Sequence, residues 1–177
     1  MSAAPCLPSG LSLRSALSHD AQAFVALFEA LAGETDFLLF GPGERGMSLA
    51  RQAELFSAPA AQQVTFLARD GELPVGFATA SSGRGRAART ASVVMGVSRT
   101  HHRRGIGRVL LANVEQWARA QALRRLELSV RADNAAAIAL YRAAGFEHEG
   151  TRRDCLFGSG AFHSELVMGR VYSKEVT

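Results

Sequence analysis

Apolar and polar positions along the chain switch repeatedly between a two-residue and a three-to-four-residue period. Leu11–Arg14 predicts a short strand. Ala23, Leu27, Ala30 and Leu31 then fall at helical spacing, predicting a helix from about His19 to Ala32, with Ser18 or Asp20 near its cap and Gly33 as its stop. The following GETDFLLFGPGERGMS is irregular and sets Glu34, Asp36 and Glu44 among Phe37, Leu38, Leu39 and Phe40. Ser48 opens a second helix reaching about Ala58, before Pro59. Val64–Arg69 and Pro74–Ser81 read as a hairpin about Asp70-Gly71, with Pro74 at the strand start where proline is tolerated.

SSGRGRAAR, residues 81–89, is a flexible basic loop before a strand at Thr90–Val97. A helix begins at Arg104 or Gly105 and reaches about Ala122, with Ile106, Leu110, Val114 and Trp117 as its buried stripe. Arg125–Val130 alternates as a strand. Two strands joined by one such helix are most simply parallel, with a right-handed crossover. A helix over Asn134–Ala144 stops at Gly145. Strands at about Phe146–Leu156 and Ser164–Val171, joined by a glycine-rich turn, follow. The expectation is an α/β fold: a single domain over 11–177 with a mixed, twisted sheet and helices on both faces, after a disordered leader at 1–10.

With 177 residues, 47% of them hydrophobic and 20% charged, the chain can bury one full core. The formal charge of +4 is carried by arginine, since the only lysine is Lys174. Cys6 and Cys155 are the only cysteines, which argues against a disulfide framework and for a reducing compartment. The first ten residues hold neither a charged n-region nor a long apolar stretch, and no apolar run approaches the length of a membrane span. A cytoplasmic location without a membrane partner is expected.

The run from Ala91 to Arg108, ASVVMGVSRTHHRRGIGR, changes the picture from fold to chemistry. A strand leads into an arginine-rich turn, and two glycines open a helix. Backbone N–H groups, helix dipole and nearby guanidinium groups there form a receptor for phosphate. It is not a P-loop, which requires Gly-Lys-Ser/Thr after the glycine run, nor a dinucleotide fingerprint, whose third small residue is replaced by Leu110. His101 and His102 are adjacent on a turn and make a poor chelate, so no metal is expected. The loop bearing Arg84, Arg86 and Arg89 lacks interleaved aromatics, so nucleic acid is not an expected partner.

After the next strand comes Asn134-Ala-Ala-Ala-Ile-Ala-Leu-Tyr141-Arg-Ala-Ala-Gly145-Phe146. The two runs together, from about Ala91 to Phe146, resemble the GNAT superfamily of acetyl-CoA-dependent N-acetyltransferases. Its first motif is a strand followed by Arg/Gln-x-x-Gly-x-Gly/Ala, and its second a strand, an Asn, and a helix with Leu-Tyr before Gly-Phe. The chain departs from the first motif at His102, where the family has Arg or Gln.

The resemblance implies acetyl-CoA as cosubstrate, held in a splayed parallel strand pair. Amides of Arg103, Arg104, Gly105, Ile106, Gly107 and Arg108 would wrap its pyrophosphate, and the backbone of Met95 and Val97 would pair with the pantetheine arm. A backbone N–H near Val97 would serve the oxyanion, and Tyr141 would protonate the departing thiolate. Asn134 would bind the pantetheine or cap its helix. The strand at 90–97 offers no acid, so the base stays open among a water chain, Glu34, Asp36, Glu72 and Glu165. Glu34 and Asp36 lie on the loop expected to line the acceptor side and would attract a cationic amine.

The expected reaction is direct acetylation of a primary amine: a small amine, an amino acid, a polyamine or a protein N-terminus. Neither cysteine has a visible base partner, which argues against an acyl-enzyme. A non-catalytic acyl-CoA-binding regulator and, behind it, a nucleic-acid-binding protein are the rivals. A homodimer stays open.

Overall fold

Leu67 and Phe77 turn to one face of a central hairpin, while their neighbours Ala68 and Ala78 turn to the other, and all four are buried. That alternation separates two apolar cores across one sheet. In the computed structural model, which describes residues 7–172, the sheet has seven strands in the order β1-β2-β3-β4-β5-β7-β6. They are β1 (Leu11–Ser15), β2 (Gln63–Asp70), β3 (Leu73–Ser82), β4 (Thr90–Val97), β5 (Arg125–Arg131), β6 (Glu147–Gly158) and β7 (Ala161–Val171). All neighbours are antiparallel except β4 and β5. Residues 1–6 of the expected leader, Cys6 among them, lie outside the described residues.

Helices α1 (Ala21–Glu34) and α2 (Leu49–Phe56) cover one face. There Phe24 meets the rings of Phe77 and Phe56 edge-on, at centroid distances of 5.1 and 5.2 Å. Helices α3 (Ile106–Ala120) and α4 (Ala135–Ala143) cover the other face, where Leu110, Leu111 and Val114 pack with Ala78, Ala80 and Leu126. The alanines of β3 let α3 sit close to the sheet. Helices lie on both faces of a mixed sheet, as expected for the fold.

Several boundaries move. Gly33 does not stop α1, which continues through Glu34 before Thr35 turns extended. The Arg99 guanidinium donates to the Glu34 carbonyl and satisfies that helix end from outside. Asp20 precedes α1 without capping it. Its carboxylate instead accepts from Arg14 (2.6 and 2.7 Å), Arg69 (3.2 Å) and the Leu17 N–H (2.8 Å), tying β1, β2 and the entry to α1. Ser48 does cap α2, accepting from the Arg51 N–H at 3.2 Å, but the helix ends at Phe56 rather than Ala58. The last hairpin turns on Ser159-Gly160, both at positive φ as a tight primed turn requires, so β6 and β7 run longer than expected.

The Asp20 cluster makes the fold acid-sensitive. Hydrogen bonding to Arg14 holds the Asp20 carboxyl down at about 2, against 3.8 for the free group. The stabilisation is therefore complete above the unfolded value and disappears as pH falls from about 4 through about 2. Asp20→Asn is expected to cost about 2 kcal/mol at neutral pH. The difference from the parent should vanish at the acid end of a urea-unfolding series.

Candidate active site

The β4–β5 ladder has parallel rungs at Thr90–Arg125, Ala91–Leu126 and Ser92–Glu127, and there it ends. Beyond the last rung both strands continue, to Val97 and Arg131, without pairing to each other. A cleft of about 1130 Å³ follows this parting and is walled from both faces of the sheet. On the α3–α4 face its walls include Met95, Val97, Ile106, Gly107, Asn134 and Tyr141. On the α1 face they include Glu34, Leu38, Glu127, Arg131, Arg152 and Glu165.

The turn between β4 and α3 is built for close approach by an anion. Arg103 and Gly105 both adopt positive φ, at 58° and 78°, which aims successive N–H groups into one concavity at the start of α3. A Cβ on Gly107 would come within 3.0 Å of the Leu140 side chain, so this glycine lets α3 and α4 converge. His102 folds back, its Nε2 bonding the Val97 carbonyl at 2.8 Å, and braces the turn against β4. His101 reaches Asp70 instead (3.3 Å), so the two imidazoles go to separate partners.

Asn134 accepts from the Ala137 N–H at 3.1 Å, capping α4 while lining the cleft. Farther along α4, Tyr141 is buried against Phe146, at 5.9 Å between centroids. Burial alone pushes its phenol up to about 12, so it is protonated throughout the physiological range.

The structure redraws the acidic wall. Arg104 and Asp36 do not line the cleft. The Asp36 carbonyl is held by Arg131 (3.0 Å) and its carboxylate accepts from the Ser159 hydroxyl, so it fastens the loop after α1 to the β6–β7 turn. Glu72 sits on the exposed β2–β3 turn beside Arg69, also away from the cleft. Glu34 does reach the wall, where its carboxylate accepts from the Arg99 N–H (2.7 Å) and Ser98 hydroxyl (3.3 Å). Glu165 lines the opposite end, with Arg152 at 3.0 Å.

Glu127 and Arg131 are cleft residues that the sequence reading leaves out. The signal was present in RLELSV, because Leu126, Leu128 and Val130 take the core face and send Glu127, Ser129 and Arg131 to the other. Arg131 is buried, stacked over Phe37 at 4.9 Å and held by Asp133, its Nε bonding Oδ1 at 3.0 Å. Arg89 of the basic loop bonds the Ala122 carbonyl at 3.1 Å beyond the end of α3, a structural tie. No described helix is long and apolar enough to cross a membrane.

Comparison with known proteins agrees with this geometry. Over 67 residues the chain is 45% identical to the N-alpha-acetyltransferase RimI of Mycobacterium tuberculosis, covering 38% of this chain and 40% of that protein. Over 98 residues it is 34% identical to the [ribosomal protein bS18]-alanine N-acetyltransferase of Escherichia coli, covering 51% of this chain and 66% of that protein. The matches thus span about two-fifths to two-thirds of these relatives' lengths. A crystal structure of a GNAT-family acetyltransferase from Streptococcus pneumoniae superimposes with a TM-score of 0.87 at 26% identity, over 92% of this chain and 99% of that one. The family model described as acetyltransferase (GNAT) family matches residues 25–146, from within α1 to the residue after Gly145, and the chain belongs to that family.

Proposed function

We propose that the protein transfers the acetyl group of acetyl-CoA to a primary amine by direct attack. One observation carries this reading: a single cleft joins an anion-binding turn and a buried, protonated Tyr141 on one sheet face to a carboxylate-bearing wall on the other. Acetyl-CoA supplies an activated thioester. Amides of residues 103–108 suit its pyrophosphate, with Arg103 and Arg108 on the cleft wall beside them and Arg104 contributing charge from outside it. The backbone at Met95 and the N–H of Val97 suit its amide-bearing arm, and a β4 N–H nearer the closed end of the cleft would donate to the oxyanion. Tyr141 donates a hydrogen bond to sulfur as the C–S bond breaks. Asn134 orders the start of α4 and so sets the position of Tyr141.

The acceptor is assigned as a primary amine entering from the α1 face, where Glu34, Glu127 and Glu165 offer carboxylates to an ammonium group among Arg99, Arg131 and Arg152. Within that class the names of the mycobacterial and Escherichia coli relatives support an α-amino group at a polypeptide N-terminus. The cytoplasm, which supplies acetyl-CoA, is the proposed compartment.

The test is thiol release from acetyl-CoA with an alanine-initiated peptide, a polyamine and free amino acids as acceptors. Release with at least one amine, and a mass gain of one acetyl group on that amine, is the expected result. Binding of acetyl-CoA without release to any amine would favour the regulator instead. Failure to bind acetyl-CoA would overturn the whole reading.

A further inference from the structure

We infer that Glu127 is the group that takes the proton from the acceptor's ammonium, an assignment that rests on the acetyltransferase reading above. An arm entering from the turn after Val97 and lying along β4 runs toward Ser92, where β4 and β5 close. Those five residue steps at about 3.3 Å each span about 16 Å. The reactive end of such an arm lies deepest, near the last rung, Ser92–Glu127.

Three carboxylates stand on the cleft wall, and their positions separate them. Glu34 is at the mouth, its oxygens engaged by Ser98 and the Arg99 N–H just past the end of β4. Glu165 is opposite Arg131 at the outer end of β5, with Arg152 on its other side. Glu127 alone is at the closed end, on the α1 face from which an acceptor would enter.

Its surroundings fix the carboxylate. Arg125 Nε donates to Glu127 Oε2 at 3.0 Å, and Arg125 Nη1 donates to Glu149 at 2.6 Å. The guanidinium between the two acids lies over Gly169, where a Cβ would come within 2.6 Å of Arg125 Nη2. Glycine at this point of β7 is what lets Arg125 reach across the strand. The other oxygen, Oε1, faces the Ser92 hydroxyl on β4 at 3.5 Å. The remaining charged groups on this face are Arg131 on the same strand, Arg152 on β6, Glu165 farther out on β7, and Glu34 with Arg99 at the mouth.

The step balances with Glu127 as carboxylate. It takes one proton from R–NH3+, leaving a neutral amine whose lone pair forms the C–N bond at the thioester carbonyl. Collapse of the oxyanion breaks C–S, and the electron pair leaves on sulfur. Tyr141 passes a proton to that sulfur and regains one released from the nitrogen. Glu127 returns its own proton to water. The net products are an acetamide, a thiol and one released proton.

Glu127→Gln, Glu165→Gln and Gly169→Ala, assayed beside the parent with an alanine-initiated peptide and acetyl-CoA, test the assignment. Glu127→Gln keeps the bond from Arg125 and is expected to lower kcat by roughly 10²-fold or more near neutral pH. The deficit should shrink above about pH 8, where an α-amine loses its proton unaided. Its thermal shift with acetyl-CoA should match the parent's. Glu165→Gln is expected to act on the acceptor KM rather than on kcat. Gly169→Ala, which displaces Arg125, should lower kcat less than Glu127→Gln and leave the acetyl-CoA shift intact. Parental kcat in Glu127→Gln, a deficit that does not change with pH, or loss of kcat in Glu165→Gln instead would overturn the assignment while leaving the acetyltransferase reading in place. No thiol release by the parent protein would overturn both.

Discussion

Tyr141→Phe is expected to lower kcat by about 10²- to 10³-fold while leaving acetyl-CoA affinity and melting temperature close to those of the parent. The ring keeps its contact with Phe146 and its place in the core beside Ile138, so packing is conserved. Only the hydroxyl goes. Burial holds that phenol at about 12, whereas a free thiol titrates near about 8.5. Full proton transfer to a ready-made thiolate would then be uphill by roughly 5 kcal/mol, at about 1.36 kcal/mol per pKa unit. The phenol works instead by donating a hydrogen bond while charge grows on sulfur, completing the transfer as nitrogen releases its own proton. A further consequence is that kcat should show no descending limb through the ordinary phenol range near about 10. Steady-state kinetics with the best acceptor decides the matter: equal kcat for the parent and the Tyr141→Phe variant would remove Tyr141 from the chemistry. If neither protein turns over any amine while both bind acetyl-CoA, the regulator becomes the better reading.

The two halves of the cleft differ in how far they could be read from sequence, and the reason is contact distance along the chain. The phosphate turn is one contiguous run in which strand, arginines, glycines and helix start follow in order, so local chemistry dictates its geometry. Tyr141 and Asn134 likewise share one helix and its cap. The acceptor wall is assembled from α1, β5, β6 and β7, and no local pattern says which acids converge. Asp36 has suitable neighbours in sequence, yet Arg131 and Ser159, both far along the chain, turn it into a loop fastening. Arg104 lies within the motif yet does not line the cleft, whereas Arg103 and Gly105 on either side of it, both at positive φ, do. Gly33 fails as a helix stop for a similar reason, since Arg99, more than sixty residues on, satisfies the carbonyl at Glu34. Glu127 is the exception, legible from alternation alone once an acid on the non-core face of β5 is taken as a cleft residue.

Gly105→Val is expected to abolish the stabilisation that acetyl-CoA confers, because the coenzyme reading depends most on the backbone of one turn. At a hundred times its Kd, a ligand bound only by the native state contributes about 2.7 kcal/mol, which for a domain of this length raises Tm by roughly 5–10 °C. Gly105 is at φ 78°, and a Cβ there would meet no atom within 4 Å, so the variant has no packing clash. Its cost to the fold is that of a branched residue in the left-handed region, about 1–2 kcal/mol, or a fall of roughly 2–8 °C in the ligand-free Tm. The turn can hold or relax, and either outcome damages the site. If the turn holds, the isopropyl group projects toward the concavity that the amides line; if φ relaxes, the amides no longer converge. Differential scanning of parent and variant, with and without acetyl-CoA, separates the modest loss of ligand-free stability from the loss of the shift. A variant that keeps the full shift would show that the amides around Gly105 do not hold the pyrophosphate, and would move the coenzyme's anchor to the side chains of Arg103 and Arg108.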